Sequence, residues 1–295
     1  MFLKSFQMPT TQAEEKYFSP PYSGKRALTC YDSHYPFGLF RGRNLPNFEM
    51  SDITIFCGDN GSGKSTILNV MAEALGLERT VPYNRSDFFE DYSELCHYEL
   101  ETKIPSGSCI IASDGVFDKM LDIRRLNAGV DDRRSELIQD YLENRYSTDD
   151  EKCRLHGLSD YDRWKRVSQA RQKNSSASQY LRGRLRRNVR ERSNGESALS
   201  YFVDSIRNNA LYLLDEPENS LSPSNQLEFK YFLEDSVRNH GCQFVISTHS
   251  PFLLSLRHAR IYDIDLTIPC RVEWTELSCV QTYYNFFKEN ESRLQ

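Results

Sequence analysis

Apolar positions along the chain fall into two rhythms. Four short, almost unbroken apolar runs, Ile53–Cys57, Cys109–Ser113, Ala210–Leu214 and Gln243–Ser247, have the length and composition of strands buried on both faces of a parallel sheet. Elsewhere the apolar residues recur at helical spacing. Ile67, Leu68, Val70, Met71, Ala74 and Leu75 predict a helix over 65–76, and a helix over 223–239 stands between the last two runs. Strand, helix and strand at this spacing predict parallel pairing, since antiparallel neighbours need only a short turn.

Other segments frame this core. Phe2–Met8 is strand-like, and Pro20-Pro21-Tyr22-Ser23-Gly24 and turns at Tyr35-Pro36-Phe37-Gly38 and Asn44-Leu45-Pro46-Asn47 follow it. Residues 1–50 therefore read as antiparallel edge strands and loops laid against the core. Arg260–Ile264 predicts a last strand, and a polar helical tail closes the chain. The second apolar run is expected to end at Asp114-Gly115, and the aromatic, acidic stretch Tyr83–Tyr98 fits neither rhythm. From 116 to about 192 charges are dense, β-branched residues few and the period helical, with a break at Asn174-Ser175-Ser176-Ala177-Ser178. The expected fold is α/β in a single domain: 1–113 and 203–295 form the core, and 114–202 is an inserted helical lobe.

Composition narrows the class. Of the 295 residues 39% are hydrophobic and 27% charged, the balance of a soluble globular protein. No run approaches the roughly 18 apolar residues of a membrane span, and the N-terminus lacks an apolar signal core, so a cytoplasmic protein with no membrane partner is expected. Eight cysteines show no C-x-x-C pair and no zinc spacing, and are expected as reduced thiols. The net charge of -5 conceals a segregation: Arg163 to Arg192 carries eleven Lys or Arg against one acid, Glu191. That block reads either as a surface for nucleic-acid phosphates or as a solvated helix face docking on acidic protein.

The candidate chemistry sits where the runs end. Gly58-Asp59-Asn60-Gly61-Ser62-Gly63-Lys64-Ser65-Thr66 matches G-x-x-x-x-G-K-[ST] between a predicted strand and a predicted helix. Glycines let backbone N–H groups converge on phosphate oxygens, and the helix adds its positive end. Lys64 would reach the β- and γ-phosphates, and the Ser65 hydroxyl would ligate Mg²⁺. A glycine-rich turn with an exposed lysine is the plainer alternative. Asp215-Glu216 follows a strand run at the carboxyl end, where α/β sheets bind ligands. Asp215 would hold the metal, and Glu216 would orient and polarise an attacking water. Thr248-His249-Ser250-Pro251 follows another run, with Ser250 as helix cap, Pro251 at the first helical position and His249 placed to donate to a γ-phosphate. Ser193-Asn194-Gly195-Glu196 opens a helix with an apolar face of Leu199, Phe202, Val203 and Ile206. It reads as a capping box, Ser193 with Glu196, and also as a second phosphate site facing another subunit. Tyr31, Tyr35 and Phe37 are candidates for stacking on a base, or for plain packing.

The order of motifs, GDNGSGKST, SNGES, LYLLDEPENSLSP and STHSPFLL, resembles the ATP-binding cassette ATPases, most closely their small soluble branch, akin to the heads of chromosome-maintenance and break-repair ATPases. The resemblance covers roughly 35–76 and 193–288. It implies a P-loop NTPase core that uses ATP and Mg²⁺, and a head-to-tail homodimer in which each ATP is held by the loop of one copy and by Ser193, Gly195 and Glu196 of the other. It makes Asn219-Ser220-Leu221-Ser222 the loop across the dimer and His249 the γ-phosphate sensor. The chain departs from the family where a glutamine is usual after the second strand. Asp114 stands there, either as the substitute metal ligand or as a mark that the helical lobe is coupled to ATP differently. The implied activity is ATP hydrolysis coupled to a partner protein from another gene, on DNA through the Arg163–Arg192 block or in defence against phage. The competing reading is a slowly hydrolysing module that times an associated toxin or nuclease.

Overall fold

In the computed structural model, which describes residues 1–21, 25, 30–79, 81–146, 161–171 and 194–294, the four apolar runs become neighbouring strands. In chain order the elements are β1 (Leu3–Gln7), α1 (Thr11–Tyr17), β2 (Phe48–Glu49), β3 (Ile53–Cys57), α2 (Lys64–Ala74), β4 (Glu78–Arg79), α3 (Phe89–Ser93), β5 (His97–Leu100), β6 (Cys109–Ala112) and α4 (Ser113–Tyr146). After these come α5 (Tyr161–Arg171), α6 (Asn194–Ser205), β7 (Leu211–Asp215), a 3₁₀ turn (Pro217–Ser220), α7 (Pro223–His240), β8 (Gln243–Ser247), α8 (Pro251–Leu254), β9 (Arg260–Asp263), β10 (Cys270–Val272), α9 (Ser278–Glu289) and α10 (Glu291–Leu294).

The large sheet has the order β10-β9-β3-β8-β7-β6-β4 and is parallel except for β10. Every residue of β3 and β8 is buried, which is why both strands read as continuous apolar runs. Register decides the function of this sheet. Phe56 pairs with Ser247, Ser247 with Asp215, and Asp215 with Ala112, so four strands end at one level.

A smaller antiparallel sheet, β2-β1-β5, supplies the expected N-terminal edge. Gln243, fully buried at the start of β8, ties it down. Its Oε1 accepts from the amides of Phe2 and Leu3 at 2.8 and 2.9 Å, and its Nε2 donates to Leu3 O and Ser51 O at 2.8 and 3.0 Å. Phe6, Phe48, Phe56, Met71 and Tyr92 share one core, so edge sheet, central strand and α2 fold around a common cluster. Each such side chain contributes roughly 2 kcal/mol by leaving water.

Several expectations are corrected. β6 ends at Ala112 and passes straight into α4, with Asp114 in its first turn, where a carboxylate favours the positive helix end. The Tyr83–Tyr98 stretch holds α3 and the start of β5, its aromatics Phe89 and Tyr92 being core residues. A helix, α1, lies within the supposed loops, capped by the Thr10 hydroxyl on the Ala13 amide. An antiparallel strand, β10, follows β9. On α6 the buried side chains described are Ala198, Tyr201 and Phe202, with Ile206 buried just past its end, while Val203 is exposed. The tail is helical but not polar, since Tyr283, Tyr284, Phe286 and Phe287 of α9 are exposed.

The chain divides into two compact units, 1–117 with 193–295, and 118–192. The first holds both sheets. In the second, Tyr141 and Ala170 form a small buried cluster. Among the described residues no helix is long and apolar enough to cross a membrane, and the seven described cysteines are free.

Candidate functional site

After Cys57 the chain must reverse into α2 within a few residues, and glycines permit it. Gly61 and Gly63 take φ of +86° and +101°, where a side chain is strained, and a Cβ on Gly63 would lie 2.7 Å from Phe40 Cε1. No side chain caps α2, so the first-turn amides are left as donors for an anion. Lys64, 3% exposed, folds across the loop and donates from Nζ to Gly58 O and Asp59 O at 2.7 and 3.0 Å. Ser62 Oγ is buried without a hydrogen-bond partner. Buried lysine, uncapped amides and an orphaned hydroxyl in one loop fit a polyanionic ligand such as a triphosphate.

The adjoining strand ends deliver the acids. Ser65 Oγ donates to Asp215 Oδ1 at 3.0 Å, and Ser247 Oγ donates to the same oxygen. Burial pushes the Asp215 carboxyl up, and the Ser247 and Ser65 hydroxyls pull it back. A hydroxyl and a carboxylate as paired hard oxygens suit Mg²⁺, which takes few protein ligands and completes its shell with phosphate and water. Glu216 occupies the left-handed region, φ +44° and ψ 53°, which costs a non-glycine residue about 1–2 kcal/mol. Its amide donates to Ser247 O at 3.0 Å, its Oε2 accepts from Asn219 Nδ2 at 2.9 Å, and its Oε1 lies 3.8 Å from Lys64 Nζ.

Lys64, Ser65, Asp215 and Glu216 are thus brought together. Ser65, Asp215 and Glu216 line a cavity of about 410 Å³ together with Asp114, Arg79 and Tyr83. Ser250 caps α8 and Pro251 opens it, as the spacing predicts. The His249 amide donates to Glu218 Oε1 at 2.9 Å, and Nδ1 lies 3.6 Å from the same oxygen. Glu218 is 7% exposed, its Oε2 has no hydrogen-bond partner, and burial pushes its carboxyl up. Tyr35 shares a hydrogen bond with the Thr66 hydroxyl at 2.8 Å, while Phe37 stacks on Tyr17 and Tyr31 packs edge-on against Phe88.

Ser193 lies outside the described residues. Asn194, Gly195 and Glu196 open α6, and their backbone alone is described. Of the Arg163–Arg192 block, side chains are described only over 165–170. Sequence reasoning missed Glu218, although it is the third acid of Asp215-Glu216-Pro217-Glu218. It also missed Arg43, whose Nη1 donates to Ser62 O at 2.9 Å, while Asp265, of the metal-like pair Asp263-Ile264-Asp265, accepts from the Asp59 amide at 2.8 Å. Arg79, stacked 3.7 Å over the Tyr83 ring and bonded through both terminal nitrogens to Asn69, was missed too.

The large sheet thus carries its glycine loop after β3 and its Asp-Glu pair after β7, two places along in the strand order. Residues 196–254, from α6 through the acids to α8, match the family described as the AAA ATPase domain. No curated protein matches the sequence. Solved structures that are similar include the Smc head domain of Pyrococcus furiosus with an extended coiled coil, bound to the C-terminal domain of ScpA. It is 14% identical, covers 83% of this chain and 95% of its own, and has a TM-score of 0.40. The SMC head domain of Thermotoga maritima is 15% identical over 77% and 92%, with a TM-score of 0.35. A nucleotide-free ATP-binding cassette from an ABC transporter is 13% identical over 97% and 96%, with a TM-score of 0.39.

Proposed function

We propose that this chain is a Mg²⁺-dependent ATPase that closes as a homodimer around ATP and works or gates a partner protein. The observation that carries this reading is the common level of three strand ends, which sets Ser65, Asp215 and Glu216 around one cavity with Lys64 Nζ 3.8 Å from Glu216 Oε1. Lys64 and the loop amides bind and orient the triphosphate. Ser65 and Asp215, with Asp114 on the cavity wall, would hold Mg²⁺, which supplies charge neutralisation at the transferring phosphoryl group when bound. Glu216 orients and polarises the attacking water, and His249 donates to the γ-phosphate. Ser193, Gly195 and Glu196 of a second copy close the far side.

Phosphate release and ATP binding test it together. Lys64→Ala should weaken ATP binding about a hundredfold, the loss of charge-assisted contacts worth roughly 3 kcal/mol. Glu216→Gln should keep ATP binding and lose at least about a hundredfold in turnover. Tight binding by the lysine variant removes the loop assignment. Undiminished turnover by the glutamine variant removes the role of Glu216, and negligible turnover by the unaltered chain favours a nucleotide-binding timer.

The segregated charge supports a nucleic-acid partner at the Arg163–Arg192 block. Reversing Arg184, Arg186, Arg187 and Arg190 to Glu should weaken DNA binding and flatten its salt dependence by about four in log–log slope. Absence of DNA binding at low salt assigns the block to a protein partner.

A further inference from the structure

Cys57 and Cys279 stand far apart in the chain, yet their sulfurs lie 3.8 Å apart. Cys57 is the last residue of β3, buried, and its neighbour Gly58 opens the phosphate loop. Cys279 is the second residue of α9 and is partly exposed. The two differ as an attacking and a resolving thiol should. The hydrogen bond from Cys57, helped by the amides of Val280 and Cys279 and opposed by burial and Asp263, brings the Cys279 thiol down to about 7. The same hydrogen bond, with burial, pushes the Cys57 thiol up.

We propose that Cys57 and Cys279 are an oxidative modification site, at which a hydroperoxide converts the two thiols to a disulfide that pins the C-terminal helix to the strand feeding the phosphate loop. The Cys279 thiolate attacks a peroxide oxygen and the O–O bond breaks. The leaving hydroxide takes a proton, giving one water from hydrogen peroxide and a sulfenic acid on Cys279. The Cys57 sulfur then attacks the Cys279 sulfur. The S–O bond breaks, the S–S bond forms, and hydroxide leaves with the Cys57 proton as a second water. Two thiols are oxidised and one peroxide is reduced to two waters.

Closing to a bond of about 2.05 Å draws the sulfurs together by roughly 1.8 Å. The helix can supply most of that movement, because Val280 is its one buried residue. What β3 supplies reaches a place with no slack: a Cβ on Gly58 would meet Ser62 Oγ at 2.9 Å and Asp265 Oδ1 at 3.1 Å. Gly58 O also receives Lys64, so oxidation should weaken ATP binding. That consequence rests on the nucleotide reading of the loop, whereas the disulfide itself does not.

The test treats the full chain with hydrogen peroxide and reads non-reduced peptides by mass spectrometry alongside ATP affinity. One linked peptide joining Cys57 to Cys279 is expected, lost on dithiothreitol and absent from Cys279→Ser, with Cys279→Ala as a second variant. ATP affinity should fall about tenfold in the oxidised chain, return on reduction and stay constant in the treated variants. Cys279 left unmodified, oxidised to sulfinic acid without linkage, or linked equally to Cys30 or Cys270 overturns the site. A linked peptide with unchanged ATP affinity overturns its coupling to the loop. A reduced chain that binds no ATP removes the nucleotide reading and leaves the peptide result to decide the disulfide.

Discussion

Asp215 and Glu218, three residues apart, answer burial differently. Asp215 shares one oxygen between two serine hydroxyls and faces a cavity, whereas Glu218 spends Oε1 on the His249 amide and leaves Oε2 unpartnered. An orphaned buried carboxylate destabilises a fold unless something else requires it, and the neighbouring imidazole supplies the reason. In the proposed mechanism Glu218 positions His249. Glu218→Gln keeps an acceptor for the His249 amide and removes the charge beside Nδ1, so kcat should fall about tenfold, roughly 1.4 kcal/mol, with ATP affinity unchanged. Equal losses in both would make Glu218 merely structural. The stability signature has a defined sign. A carboxyl raised from the ordinary 4.5 holds its proton more tightly when folded. Its stabilising contribution is therefore present below that value and lost as pH rises through the raised one. The variant should gain thermal stability over the unaltered chain on going from about pH 4.5 to neutral. The phosphate loop could be read from sequence because its chemistry is contiguous. Glu218, Arg43 and Arg79 could not, because each acts on residues distant along the chain or on a cavity wall.

Among the elements, the strands most plainly written in the sequence are those buried on both faces. β3, β7 and β8 need no alternation, so short apolar runs announced them, and their parallel order followed from the helix between. Elements that depend on tertiary partners were hidden. The aromatics of α3 are explained only by the core cluster they join, β5 pairs with β1 with its own residues exposed, and α4 begins directly at the end of β6. On α6 the apolar face turned toward Ala198 and Tyr201, because Val203 is the residue left outside. Gln243 shows the same limit, a polar residue inside an apolar run whose four hydrogen bonds join the small sheet to the large one. Gln243→Leu preserves volume and orphans the amides of Phe2 and Leu3 and the carbonyls of Leu3 and Ser51. It should cost about 4 kcal/mol in urea unfolding. A loss below about 1 kcal/mol would mean that water replaces the side chain.

For the whole molecule the question is what completes the site. In the proposed assembly one copy supplies the loop, metal ligands, water-orienting acid and histidine, of which Ser65, Asp215 and Glu216 line one cavity. An ATP hydrolysed there needs its exposed face covered against water and its developing charge neutralised from the far side. In the proposed assembly the start of α6 from a second copy does both. Closing is then coupled to bound ATP and opening to its loss, which gives the chain a stroke to apply to a partner. A variant that binds ATP without hydrolysing it should accumulate closed. Glu216→Gln with ATP and Mg²⁺ should therefore double in mass from 34.4 kDa by light scattering, and revert when ATP is removed. Ser193→Arg added to it should keep ATP bound and restore the single mass, because a bulky cation would then meet the phosphate-bearing face of the other copy. A nucleotide-saturated Glu216→Gln chain that stays at the single mass would show that one copy encloses its own ATP, and would return Ser193 to the role of a helix cap.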